Sequence, residues 1–109
     1  MDMTASLEAL IASGKDGAPV RFALASRYAA NGEIERALEH AEIAVAIDAD
    51  YSAAWKLLGK LRGQTGRRTQ AIEAYRRGIA VAQKRGDQQA VREMQVFLKR
   101  LLREQSEQQ

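Results

Sequence analysis

The chain has 109 residues, a net charge of +3, no cysteine, one histidine and one proline. Its length suits one domain with a single core, and the missing cysteine excludes a disulfide framework, a thiol nucleophile and a thiolate metal site. Alanine is abundant and no segment alternates long enough to form a strand, so the composition predicts an all-α fold.

Helices are predicted in chain order as follows. Thr4 is placed to cap a first helix over 4–13, with Leu7, Leu10 and Ile11 on one face, and Gly14-Lys15-Asp16-Gly17 breaks it. Pro19 suits the first turn of a second helix, which Asn31-Gly32 closes. A third follows from Ile34 to Ile47. Asp48-Ala49-Asp50 then forms a joint in which helix capping explains both carboxylates. Tyr51 or Ser52 opens a fourth helix, ended by Thr65-Gly66, and a fifth runs from about Arg68 to Lys84 before Gly86. Asp87 caps a last helix over 87–105, with Val91, Met94, Leu98, Leu101 and Leu102 on its apolar face and Arg100, Arg103 and Glu104 turned to water. The glutamine-rich tail is expected to fray.

Residues recur through this series at a period of 34. Leu24, Tyr28, Gly32, Ala37 and Ala44 fall over Leu58, Arg62, Gly66, Ala71 and Gly78, which is the mark of stacked helical modules. Trp55-x-x-Leu58-Gly59, Gly66, Ala71-x-x-x-Tyr75 and Gly78 make the second copy resemble the tetratricopeptide repeat. Repeats are assigned to 18–51 and 52–85 within one domain spanning 1–109. In the first copy Arg21 replaces the tryptophan, Ala25 the glycine and Ala41 the aromatic, and neither copy has the closing proline. The resemblance, which extends to small standalone bacterial proteins of this family, implies antiparallel helix pairs stacked as a short right-handed superhelix. It also implies that the small residues sit where paired helices cross, and that Trp55, Leu58 and Tyr75 are core.

Function is approached through charge. Residues 1–50 hold 4 basic and 9 acidic side chains, net −5, whereas residues 51–109 hold 13 and 5, net +8. In the family, the leading helix of each repeat lines a concave groove, and the positions one and five residues after the signature tryptophan point into it. That implies groove residues Phe22 and Ser26 in the first repeat and Lys56 and Lys60 in the second; inserting two residues to bring the last helix into register adds Arg92 and Val96, with Lys99 one turn further on. Lys56 and Lys60 form a like-charge i, i+4 pair that an anion would relieve. They resemble part of the clamp by which some family members hold a peptide's terminal carboxylate, although Phe22 and Ser26 stand where that clamp has basic and amide residues.

The resulting expectation is a non-catalytic module that binds a protein or peptide segment, with acidic residues near Lys56, Lys60 and Arg92 and an apolar anchor at Phe22. Self-association is the alternative, with the acidic half of one copy meeting the basic half of another. Few aromatics and no nucleic-acid motif argue against a nucleic-acid partner. His40, beside Glu39 and Glu42, is read as a surface residue with no second histidine to assist catalysis. No cofactor and no metal are expected, because Asp48 and Asp50 lack the further oxygen ligands of a calcium loop. Without a run of about 18 apolar residues or a signal core, the expected setting is a cytoplasmic protein with no membrane contact.

Overall fold

The computed structural model describes residues 3–108, among which there are six α-helices and no strand. They are α1 (Met3–Ala12), α2 (Ala18–Ala30), α3 (Ile34–Ile47), α4 (Ser52–Gln64), α5 (Arg68–Arg85) and α6 (Gln88–Glu107). The starts of α2 and α4, and those of α3 and α5, are 34 residues apart, so the sequence period is the period of the structure. Residues 1–49 and 50–109 form two compact units where chain length had argued for one core. None of the described helices is long and apolar enough to cross a membrane.

In the first unit, α2 packs on α3 and α1 lies against α2. Pro19 sits in the opening turn of α2, where its missing N–H costs no helical bond. Gly32 ends the helix at φ 79°, a left-handed conformation that glycine adopts without the strain a Cβ imposes, and this lets Glu33 N–H bond back to Tyr28 O at 2.9 Å. Leu24, Ala25, Ala37, Ala41 and Ala44 are fully buried between the paired helices. Thr4 is inside α1 and buried, since the helix already includes Met3; it is not the cap that its sequence position suggested.

The second unit repeats the helix pair and adds a third helix. Gly66, at φ 76°, supports the same closing bond, here Arg67 N–H to Arg62 O at 2.8 Å. α5 packs on both α4 and α6, while α4 meets α6 only marginally. Tyr75, Ile79, Ala82, Val91 and Met94 form the core joining α5 to α6, with Leu98 and Leu101 partly buried against it. Asp87 caps α6 as expected, its Oδ1 accepting Ala90 N–H at 3.1 Å. The N-cap of α4 is Tyr51, whose own side chain makes no cap bond, while Asp48 is the C-cap residue of α3. Nor does α6 end at 105: it continues to Glu107, and Arg68 Nη1 donates to Gln108 Oε1, tying the end of α6 to the start of α5.

Close approach explains two glycines of the second unit. A Cβ on Gly59 would lie 2.8 Å from the Tyr75 ring, and one on Gly78 would lie 2.6 Å from Met94 Sδ and 3.0 Å from Trp55 Cβ. Both helices therefore approach across a bare backbone, as the crossing argument required, but what fills each gap is a large side chain rather than another small one.

Candidate functional site

Within the second unit, α4 and α6 leave a groove of about 290 Å³ lined by Gly59, Lys60, Gly63, Gln64, Tyr75, Phe97, Arg100, Leu101 and Glu104. Its apolar part is ordered by packing. The rings of Tyr75 and Phe97 stack with centroids 5.7 Å apart and planes 9° from parallel, and Phe97 keeps 36% of its surface exposed. Burial pushes the Tyr75 phenol up to about 12, against a small opposing effect of Arg100, so this ring is neutral at any physiological pH. Lys60 and Arg100 contribute exposed cations to the same groove, and among the described residues neither has a hydrogen-bond or ion-pair partner.

Lys56 behaves differently from the unpaired cation expected of it. Its Nζ donates to Glu93 Oε2 across from α6 at 2.7 Å, so the anion that relieves the Lys56/Lys60 repulsion belongs to the chain itself. Both partners keep about two-fifths of their side-chain surface in water, at 38% and 43%, which limits the pair to about 0–1 kcal/mol. Arg92, Val96 and Lys99 are exposed on α6 and are not among the residues lining the groove. Phe97, Arg100, Leu101 and Glu104 take that role, following the three-to-four-residue spacing of one helical face. Glu104, expected in open water, is half-buried there. The apolar pair Phe97 and Leu101 was the sequence signal for this face, one residue away from the register that inserting two residues suggested.

Phe22 and Ser26 are in the first unit, one turn apart on α2, and both are half-buried. A connected polar group of that unit lies elsewhere. Asp16 accepts two bonds from Arg21, from Nε to Oδ1 and from Nη2 to Oδ2, each at 2.8 Å, and Arg21 Nη1 is 3.1 Å from His40 Nδ1. His40 in turn stacks on Tyr28 at 5.5 Å, Arg36 lies 5.5 Å from the same ring, and Tyr28 Oη donates to the Glu8 carboxylate. His40 is thus a half-buried acceptor in a network and not a simple surface residue. Burial first, and Arg21 next, hold its pKa below the usual 6.5, as the bond to Nδ1 requires a neutral ring edge there. The Arg21 guanidinium likewise holds the Asp16 carboxyl below its ordinary range. No group of three or more His, Cys, Asp or Glu side chains positioned to hold a metal ion occurs among the described residues.

Helix pairs recurring at a fixed period define a helical-repeat protein. The sequence comparisons narrow this class. The chain belongs to the tetratricopeptide repeat family, whose model matches residues 18–61. It is 46% identical over 99 residues to a TPR repeat-containing protein of Pseudomonas aeruginosa, covering 91% of this chain and 94% of the relative. Over 55 residues it is 44% identical to a heat-shock protein cognate co-chaperone of Aspergillus fumigatus, spanning 16% of that longer protein. Among solved structures, a Bordetella parapertussis protein aligns with a TM-score of 0.80 and 46% identity, over 95% of this chain and 90% of its own. The Sgt2 TPR domain of A. fumigatus aligns with a TM-score of 0.74 and 26% identity, over 95% and 79%. The family's fold is that of a protein–protein interaction module.

Proposed function

We propose that the chain is a non-catalytic binding module whose groove between α4 and α6 takes an extended protein segment bearing an acidic residue beside an apolar one. The observation that carries this reading is the convergence of two cations, Lys60 and Arg100, without an ion-pair partner among the described residues, with the exposed edge of the Tyr75–Phe97 stack. A carboxylate between the cations gains charge-assisted hydrogen bonds, while an apolar side chain against Phe97 and Leu101 removes their remaining surface from water. The net charge of +8 over residues 51–109 favours encounter with acidic segments. Similarity to a co-chaperone fits a protein ligand.

The test is fluorescence anisotropy with a labelled peptide containing Glu and Phe in alternation, against the full chain and a Lys60→Ala, Arg100→Ala variant. Affinity is expected to fall about tenfold in the variant and to weaken as salt rises. Equal affinity for a peptide with Lys in place of Glu overturns the reading. Self-association is a second reading, favoured by the opposed charges of the two halves and by the 59% exposure of Val96. Sedimentation that shifts with concentration and reverts in high salt is its signature.

A further inference from the structure

We infer that α1 and α6 are complementary halves of a repeat, so that α1 of one copy seats on α6 of the next and copies join head to tail. This rests on the self-association reading and gives it a surface. Shifted back by 34 residues, α3 falls on α1: Ala37, Ala41 and Ala44 correspond to Met3, Leu7 and Leu10. Among the described residues α1 is therefore a trailing helix with no leading helix before it. The starts of α4 and α6 are 36 residues apart, which puts Leu58, Gly59 and Arg62 over Met94, Gln95 and Leu98. By the same token α6 is a leading helix with no trailing helix after it. Each supplies the type of helix that the other lacks.

The uncovered faces are apolar. Ala37, Ala41 and Ala44 are fully buried on α3, whereas Met3 is 48% and Leu10 37% exposed on α1, with Leu7 and Ile11 half-buried beside them. A helix that only caps a repeat array turns a polar face outward; α1 turns out large apolar side chains. On α6, Gln95, Leu98 and Leu102 are half-buried, and Leu102 lines with Ile72 a recess of about 370 Å³ between α5 and α6, bordered by Arg76 and Arg77. None of its lining residues belongs to the groove between α4 and α6, so a peptide in that groove and a second copy do not compete for one seat. The α4–α5 pair supplies the geometry of the joint. There Gly59 faces Tyr75 and Trp55 faces Gly78, and the equivalent positions set Gln95 of one copy against Leu7 of the next and Val91 beside Leu10. Charge selects the direction. Pairing two copies through the same half sets −5 on −5 or +8 on +8, whereas head-to-tail contact sets −5 on +8.

The experiment is sedimentation of the full chain from micromolar to millimolar concentration. Its mass is expected to rise past the dimer, because a head-to-tail pair still has one uncovered face of each kind. Leu10→Lys blocks one side of the joint and Leu102→Lys the other, and each alone is expected to weaken association about tenfold or more. An equal mixture of the two variants is expected to form a dimer and nothing larger, since only one intact pair of faces remains. Circular dichroism checks that helix content is unchanged; Leu10→Ala and Leu102→Ala repeat the test, with smaller effects, where a lysine unfolds its unit. Variants that associate as the parent chain does overturn the joint and leave self-association to another surface. So does a mixture that stays monomeric when each variant alone is blocked. A parent chain that remains monomeric at millimolar concentration overturns the joint and the self-association reading together.

Discussion

Positions 21 and 55 are equivalent in the two repeats, and one holds a guanidinium where the other holds an indole. Arg21 is spent on polar partners, Asp16 and His40, which link the α1–α2 turn to α3. Trp55 is 6% exposed in the second unit, beneath the Arg77 guanidinium at 5.4 Å. The same helix pair is thus secured in one unit by a hydrogen-bonded network and in the other by aromatic burial. A second pair of equivalent positions shows why the substitutions travel together. Gly59 is bare because the Tyr75 ring fills its space; Ala25 carries a methyl group because its counterpart of Tyr75 is Ala41. The repeat fixes the backbone, and each unit resolves the interior with its own set of volumes.

The sharpest way to break this contrast is truncation at the equivalent positions. Trp55→Ala is expected to cost about 3–5 kcal/mol, and Arg21→Ala about 1–3, because the first opens a cavity and the second removes hydrogen bonds from a partly wet network. Urea unfolding of both variants checks the order. Next comes the exchange of volumes. Gly59→Ala is expected to destabilise by about 1–2 kcal/mol despite alanine's better helix propensity, since the stacked Tyr75 ring is 2% exposed and has little room to retreat. Ala25→Gly, lacking any clash, is expected to lose about 1 kcal/mol through propensity alone. Asp87→Ala, which removes the N-cap of α6, is expected to cost about 1 kcal/mol in thermal or urea unfolding.

The smallest effect separates the units by pH. His40 has a depressed pKa, so the folded state prefers its neutral form; its contribution to stability is complete above about 6.5 and is lost as pH falls below that value. Asp16 follows the same sign in a lower window, below its ordinary 3.8. Melting temperatures measured from pH 7 to pH 5 should therefore decline, and His40→Gln should flatten that decline while leaving the loss below pH 4.

Much of the fold was legible because the determinants are local or periodic. Gly32 and Gly66 end their helices where sequence put the ends, and Asp87 caps α6 through a bond three residues away. The site was legible only in part. Lys60 lies in the groove, but Lys56 meets Glu93, 37 residues distant, and Arg21 meets His40, 19 distant, so neither pairing follows from helical spacing. Arg92, Val96 and Lys99 came from aligning α6 to the repeat with two residues inserted. The face that α6 actually turns to the groove is set by burial of Val91 and Met94 against α5, which rotates the choice by one residue to Phe97 and Arg100.

Trp55 is the chain's sole tryptophan and is buried in the second unit, beside Gly78 and Arg77. Its emission is thus a built-in optical address. Fluorescence follows the melting of residues 50–109, while the helical ellipticity follows both units. If the aromatic unit outlasts the polar one, the two curves separate, and a single unlabelled sample reveals in which order the repeats let go.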